Sequence, residues 1–305
     1  MIYRGYSTDT GLRLRMILTG LFLFALYSVF ALFMLLIGAD MIVIFIICGA
    51  LVLAQFFMSD KLVLRSMKAR VVTREEMPDL HGTIENLCQL AGIPKPNIAV
   101  SESLVPNAFA AGRSPKKATI CVTNGILRML NERELEAVLG HEVAHIKNRD
   151  VAMMTLASFF STLIGMAIQW MSFAAIFGGM GRSRQGGQHM AILMVVMLVS
   201  ILVYFISQIL IMALSRYREF AADESGAVIV GAPATLATAL LKIHGEIESL
   251  SDTDLRHVEG ASAFFFVPAF HGGSLMRLFS SHPPVRKRVE RLKKMQESGY
   301  LWTSP

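Results

Sequence analysis

His141, Glu142 and His145 are the residues of this chain best suited by type and spacing to do chemistry. On an α-helix each residue advances about 100°, so two imidazoles four positions apart stack on one face, offset by only about 40°. Glu142 falls to the side of that pair, close to anything both rings hold but poorly placed to ligate it. Metal-assisted hydrolysis needs this combination: two neutral nitrogen donors for zinc and a nearby carboxylate to take a proton from water. The competing reading is a plain helix carrying two surface histidines, and the surrounding elements weigh between the two.

Asn131 followed by Glu134 is a variant capping box, which starts a helix ten residues before His141. Leu135, Val138, Leu139, Val143 and Ile146 give that helix an apolar stripe. Proline is absent from 132–177, so the pattern predicts one unbroken helix with both histidines well inside it. Upstream, residues 76–91 carry the helical period through Leu80, Ile84, Leu87 and Leu90, and Gly92-Ile93-Pro94 ends it. Short strands are predicted at 97–101 and 118–122, with 107–112 between them. The Gly- and Arg-rich stretch 178–189 reads as a loop.

Hydrophobic residues make up 53% of the 305 and charged ones only 17%, a balance outside the soluble norm. Four uncharged apolar runs, 16–37, 41–58, 151–181 and 190–214, account for it. Each is read as a membrane span, against a requirement of about 20 apolar residues. A cleaved leader is the weaker reading of the first run, because the second follows almost at once with no small-residue cleavage site. Arg4, Arg13 and Arg15 precede the first span, and Lys61, Arg65, Lys68, Arg70 and Arg74 follow the second. Their distribution puts both termini and the histidine pair on the cytoplasmic face, with Arg182 and Arg184 as dissenters on the outer side. A net charge of +6 fits basic residues near anionic headgroups rather than a nucleic-acid surface. Cys48, Cys88 and Cys121 have no paired spacing and read as core residues rather than disulfide or thiolate ligands.

The chain then divides into a membrane hairpin (1–58), half of a catalytic domain with the histidine helix (59–150), a second hairpin (151–214) and the other half (215–305). A catalytic zinc generally takes a third protein ligand. The arm out from His145 to the turn near Arg184 and the arm back to Glu219 are of nearly equal length, which returns Glu219 to the height of the histidines. Glu219 paired with Arg216 or Arg218 is an equally good reading of the spacing, and Asp223, Glu224, His244, His271 and His282 are rivals. Asp223, one turn beyond Glu219, and Asn148, three residues beyond His145, are candidates to accept a proton from a ligand imidazole.

H-E-x-x-H-x-x-N-x-D at 141–150, S-R-x-x-E-F-x-A-D at 215–223 and Ser281-His282-Pro283-Pro284 together resemble the HtpX heat-shock membrane metalloproteases, relatives of the CAAX prenyl proteases. The resemblance covers essentially the whole chain. It implies a mostly α integral membrane protein, four transmembrane helices around a split cytoplasmic α+β zincin-like catalytic domain with a small sheet. It also implies one Zn²⁺ held by His141, His145 and Glu219, with Glu142 as the catalytic carboxylate. Asn107, Ala108, Phe109 and Ala110 would border the edge strand that binds substrate, and His282 would lie near the site. His282 is accordingly the candidate donor to the tetrahedral oxyanion, against a plain role as helix entry before Pro283-Pro284. The expected activity is stress-responsive proteolysis of misfolded membrane proteins, and of the chain itself, in the plasma membrane of a prokaryote. Two other classes compete. A structural zinc scaffold would want a cysteine near the motif, and a transporter would want ionisable groups within the spans; the sequence offers neither.

Overall fold

The computed structural model of the chain describes residues 9–36, 64–177, 186–249 and 282–298, with positions 46, 49–50, 53–54 and 57. Its elements run Thr10–Leu36 (α1), Ala69–Val71 (β1), Pro78–Ala91 (α2), Asn97–Ser101 (β2) and Ala108–Ala111 (β3). They continue with Thr119–Thr123 (β4), Asn124–Met129 (α3), Glu132–Asn148 (α4), Asp150–Phe177 (α5), Gly186–Val230 (α6), Pro233–Ser249 (α7) and Val285–Glu297 (α8).

The capping box forms as the sequence predicts: Glu134 N–H donates to Asn131 Oδ1 at 2.9 Å, and Asn131 N–H donates to Glu134 Oε2 at 3.1 Å. Lys242 on α7 then closes over the same carboxylate at 2.7 Å. The predicted continuous helix over 132–177 is corrected. It breaks at Arg149, which takes a left-handed conformation (φ 56°, ψ 42°) and donates its N–H to the carbonyls of His145 and Ile146. Asp150 opens a second helix, so His145 sits in the last turn of α4 rather than mid-helix.

The sheet has the order β1-β2-β4-β3. β2 and β4 pair in parallel, and β3 runs antiparallel to β4 with Ala108 opposite Val122 and Ala111 opposite Thr119. β4 is buried along its whole length, while β3 forms one edge of the sheet. The segment 107–112, expected to border a strand, is itself mostly strand, and β1 was not foreseen because three residues carry no measurable alternation. One face of the sheet joins a core of Ile84 and Leu87 (α2), Ile98 and Ile120, Val138 and Val143 (α4), Leu236 and Leu240 (α7) and Val289 (α8). Phe109, Cys121 and Met67 pack on the other face. Burial pushes the Cys88 and Cys121 thiols up to about 11 and about 12, which suits the inert core role expected of them.

Three helical segments among the described residues are long and apolar enough to cross a membrane, in α1, α5 and α6. Phe30 and Met34, Ile164, and Val196 and Val203 knit these together. Ser161 and Ser207 hydrogen-bond across the α5–α6 seam at 2.8 Å, with Gln208 donating to Ser161 at 2.9 Å. Most of the predicted second span, 41–58, falls outside the described residues, as do Arg182 and Arg184. The loop predicted for 178–189 is corrected at its end, since α6 already begins at Gly186. That helix then runs without a break for 45 residues, carrying Glu219 and Asp223 on the same rigid rod as a candidate span.

Candidate metal centre

The last two turns of α4 present His141 and His145 with ring centroids 4.5 Å apart, edge to face. Each imidazole directs Nδ1 at a carboxylate: His145 to Asp150 Oδ2 at 2.5 Å and His141 to Asp223 Oδ1 at 3.0 Å. A carboxylate accepts only, so each Nδ1 carries the proton, and each Nε2 is left with a lone pair. Those two Nε2 atoms face one another at 2.9 Å. Glu219 adds a third donor, with Oε1 3.5 Å from His145 Nε2 and Oε2 3.8 Å from His141 Nε2. Ligand atoms of all three residues lie within 4.8 Å of one another. Three electron-pair donors converging in a buried space repel unless a cation lies between them. Two imidazoles and one carboxylate, with Nδ1 protons anchored behind, is a donor set that suits zinc. His141, His145 and Glu219 can hold a metal ion.

Why these groups meet follows from two glycines. A Cβ at Gly226 would lie 2.7 Å from His141 Cα and 2.8 Å from His141 N, and one at Gly140 would lie 2.4 Å from Val230 Cγ2. Only backbone fits where α4 crosses α6, and that contact brings Glu219 and Asp223 within reach of the rings. Burial, with the His145 ring beside it adding to the effect, pulls His141 down from 6.5 to about 4, so the His141 ring is neutral and able to ligate at physiological pH.

Glu142 is 3% exposed. Burial raises its carboxyl from 4.5 to about 7, opposed by His145, by the Ala110 backbone amide and by Arg288, and helped by the negative charge of Glu219. A group poised near neutrality can both take and return a proton. The Ala110 hydrogen bond also ties Glu142 to edge strand β3.

The remaining expected residues fall as follows. Asp223 is at the centre, holding His141. Asn148 does not hold His145; Asp150 does, and Asn148 lines a cavity with Asp9, Arg218 and Glu224 instead. The correction has a local cause, since the chain reverses its helical course at Arg149 and swings Asp150 under the ring. Asn107, Ala108 and Phe109 are buried, so any contact that this segment makes with a substrate is through the main chain of β3. His282 reaches the centre with Nδ1 3.1 Å from Glu219 Oε2. Of the rival ligands, His244 pairs with Glu248 at 3.3 Å on the surface of α7, Glu224 accepts from the Asp9 N–H at 3.1 Å, and His271 lies outside the described residues.

Three participants were missed by the sequence reading. Arg288 is fully buried, makes a two-pronged ion pair with Asp223 at 2.8 and 2.6 Å, and lies 3.5 Å from Glu219. Its signal was present: it sits on the apolar stripe of α8 with Val285, Val289 and Leu292, where a charge needs a buried partner. Asp150 is the second, and Arg218 the third, an ion pair buried behind His145.

With this geometry in view, comparison with known proteins places the chain in a class. The family model for peptidase family M48 matches residues 74–296, and the chain belongs to that family of metalloproteases. It is 46% identical to Protease HtpX homolog 2 of Methanosarcina mazei over 294 residues, spanning 96% of this chain and 98% of the relative. Protease HtpX homolog 2 of Methanosarcina acetivorans is 48% identical, with the same 96% and 98% coverage. Protease HtpX homolog of Moorella thermoacetica is 42% identical, covering 96% and 97%. A crystal structure of Ste24p from S. mikatae shares the fold, with a TM-score of 0.54 and 17% identity, over 93% of this chain and 67% of that one. The chain is a membrane metalloprotease of the HtpX type.

Proposed function

We propose that this chain is a zinc metalloendopeptidase that cleaves misfolded or damaged membrane proteins, and on occasion itself, at the cytoplasmic face of a prokaryotic plasma membrane. In this reading four spans form two hairpins, 1–58 and 151–214, which interrupt and anchor a catalytic domain assembled from 59–150 and 215–305. The observation that carries it is the meeting of two Nε2 atoms, 2.9 Å apart, with the Glu219 carboxylate, while each ring turns Nδ1 to a carboxylate. His141, His145 and Glu219 hold the ion; Asp223 and Asp150 fix the ring tautomers. Zinc, when bound, supplies a Lewis acid that makes water a nucleophile near neutral pH and polarises a carbonyl.

Glu142 takes the proton from the attacking water and returns it to the leaving amine. Burial serves this by keeping the carboxyl near neutrality, so neither transfer is strongly uphill. His282, beside Glu219, orients that carboxylate and donates to the oxyanion as the carbonyl becomes tetrahedral. An extended polypeptide adds to edge strand β3 through main-chain hydrogen bonds. Main-chain pairing tolerates many side chains, which suits clearance of damaged proteins of varied sequence. The same rod, α6, carries a candidate span and Glu219, so a substrate emerging from the bilayer meets the site at its surface.

The test is cleavage of casein by the purified full chain in detergent, with zinc and with a chelator, beside Glu142→Gln. Cleavage lost on chelation, restored by zinc and reduced about a thousandfold in a variant that still binds one metal is the expected outcome. Comparable turnover in Glu142→Gln refutes the assigned base.

A further inference from the structure

Arg149 breaks a local rule next to the reactive centre. Helices that end in a left-handed residue generally use glycine there, because a Cβ strains that conformation. Only two non-glycine residues among those described have positive φ, Lys68 and Arg149. Arg149 closes α4 four residues after His145, where glycine would make the same two cap hydrogen bonds at less conformational cost. Its guanidinium is exposed and has no carboxylate partner among the described residues.

What that side chain borders is a groove between the end of β3 and the α4–α5 junction, lined by Ala110, Gly112, Arg113, His145, Arg149 and Asp150. The groove's one carboxylate, Asp150, is committed to His145 and Arg218. Arg113 lines the same groove, its guanidinium 4.8 Å over the Phe57 ring and donating to the Phe57 carbonyl at 3.2 Å. A strip beside the edge strand thus carries two guanidinium groups and, among the described residues that line it, no uncommitted carboxylate to offset them. A local strain kept at a functional edge points to a use for the side chain that causes it.

We propose that Arg149 is a specificity-determining residue, pairing with an acidic side chain of the extended substrate near the scissile bond, with Arg113 adding to the field. The inference rests on the proteolytic reading above and on substrate lying along β3. Planar guanidinium groups match carboxylates in two-pronged geometry, which separates glutamate from its amide isostere by charge alone.

The experiment uses the full chain in detergent with zinc, and peptides blocked at both ends that differ only in Glu or Gln beside the cleaved bond. A third peptide has Gln and a free terminal carboxylate. The wild type is expected to prefer Glu over Gln in kcat/KM, and Arg149→Gly to lower that ratio about tenfold. Glycine and, in Arg149→Asn, asparagine tolerate the left-handed cap, so melting temperature is expected to hold or rise while the ratio falls. Arg149→Lys should retain part of the preference. An unchanged ratio in Arg149→Gly, an equal loss on both blocked peptides (a structural or lipid-headgroup role), or preference for the free-terminus peptide alone overturns the proposal. Casein cleavage without any Glu preference sinks this inference only; no cleavage of casein or peptides sinks the proteolytic reading with it.

Discussion

Glu142 and His141 are adjacent in sequence and equally buried, yet burial moves their proton affinities in opposite directions because it disfavours whichever form is charged. His141, drawn down from 6.5 to about 4, binds fewer protons folded than unfolded between those values. Its contribution to the stability of the metal-free protein is therefore lost as the pH falls through that window. Glu142, raised from 4.5 to about 7, binds more protons folded than unfolded, so its contribution is lost as the pH rises through its window. Glu142→Gln removes the second effect and leaves the first. In chelator, the melting temperature of the variant minus that of the wild type should grow from pH 5 to about pH 7 and level off above it; a difference independent of pH contradicts this account of the carboxyl. At this scale the sequence was generous where chemistry is local. His141, Glu142 and His145 are contiguous on one helix, so their relation was readable from helical geometry. Asp150 was not, because its role depends on a break in the chain; Arg288 stood out on the apolar stripe of α8, but its partner lies 65 residues away and only the fold names it.

The α4–α6 crossing turns two separate sequence motifs into one site. Its closeness depends on Gly140 and Gly226 meeting backbone to backbone, which the sequence lists only as two glycines inside helical patterns. Gly226→Ala puts a methyl 2.7 Å from His141 Cα, so α6 must shift away and take Glu219 and Asp223 with it. Overpacking of this kind generally costs about 1–3 kcal/mol. Metal affinity should drop more than stability suggests, since two of the displaced groups serve the ion. Thermal melting and metal titration of Gly226→Ala check this, and wild-type affinity in a folded variant would deny the crossing its role. The capping box at Asn131 was legible because it is a local hydrogen-bond exchange. The stop at Arg149 was not, because nothing in an arginine announces a left-handed turn. β3 escaped as a strand for a related reason: four residues, three of them alanine, show no alternation, and pairing with β4 makes them strand.

Across the molecule, the apolar runs that set the architecture were plain in composition, and α1, α5 and α6 follow three of them. Which side of the membrane holds the site rests on the basic residues flanking the spans. Cysteines placed at exposed Glu132 and Arg286, which lie before α5 and after α6 in the chain, should both be labelled by an impermeant thiol reagent in inverted vesicles and spared in intact cells. Labelling at one site only would break the single-domain arrangement. The joining of distant halves also shows at the start of α1, where Asp9 caps the helix at Leu12 and pairs with Arg291 of α8 at 2.8 Å, one turn beyond Arg288. That arrangement depends on tertiary packing that no window of sequence contains.

All of this turns on one ion held jointly by α4 and α6. X-ray absorption at the zinc edge, on full chain purified without chelators, probes that most directly. The account predicts one zinc per chain with two imidazoles and oxygen donors, and a change in both spectrum and metal content in Glu219→Ala. Sulfur in the coordination sphere, or a Glu219→Ala protein with unaltered zinc content and spectrum, would contradict it.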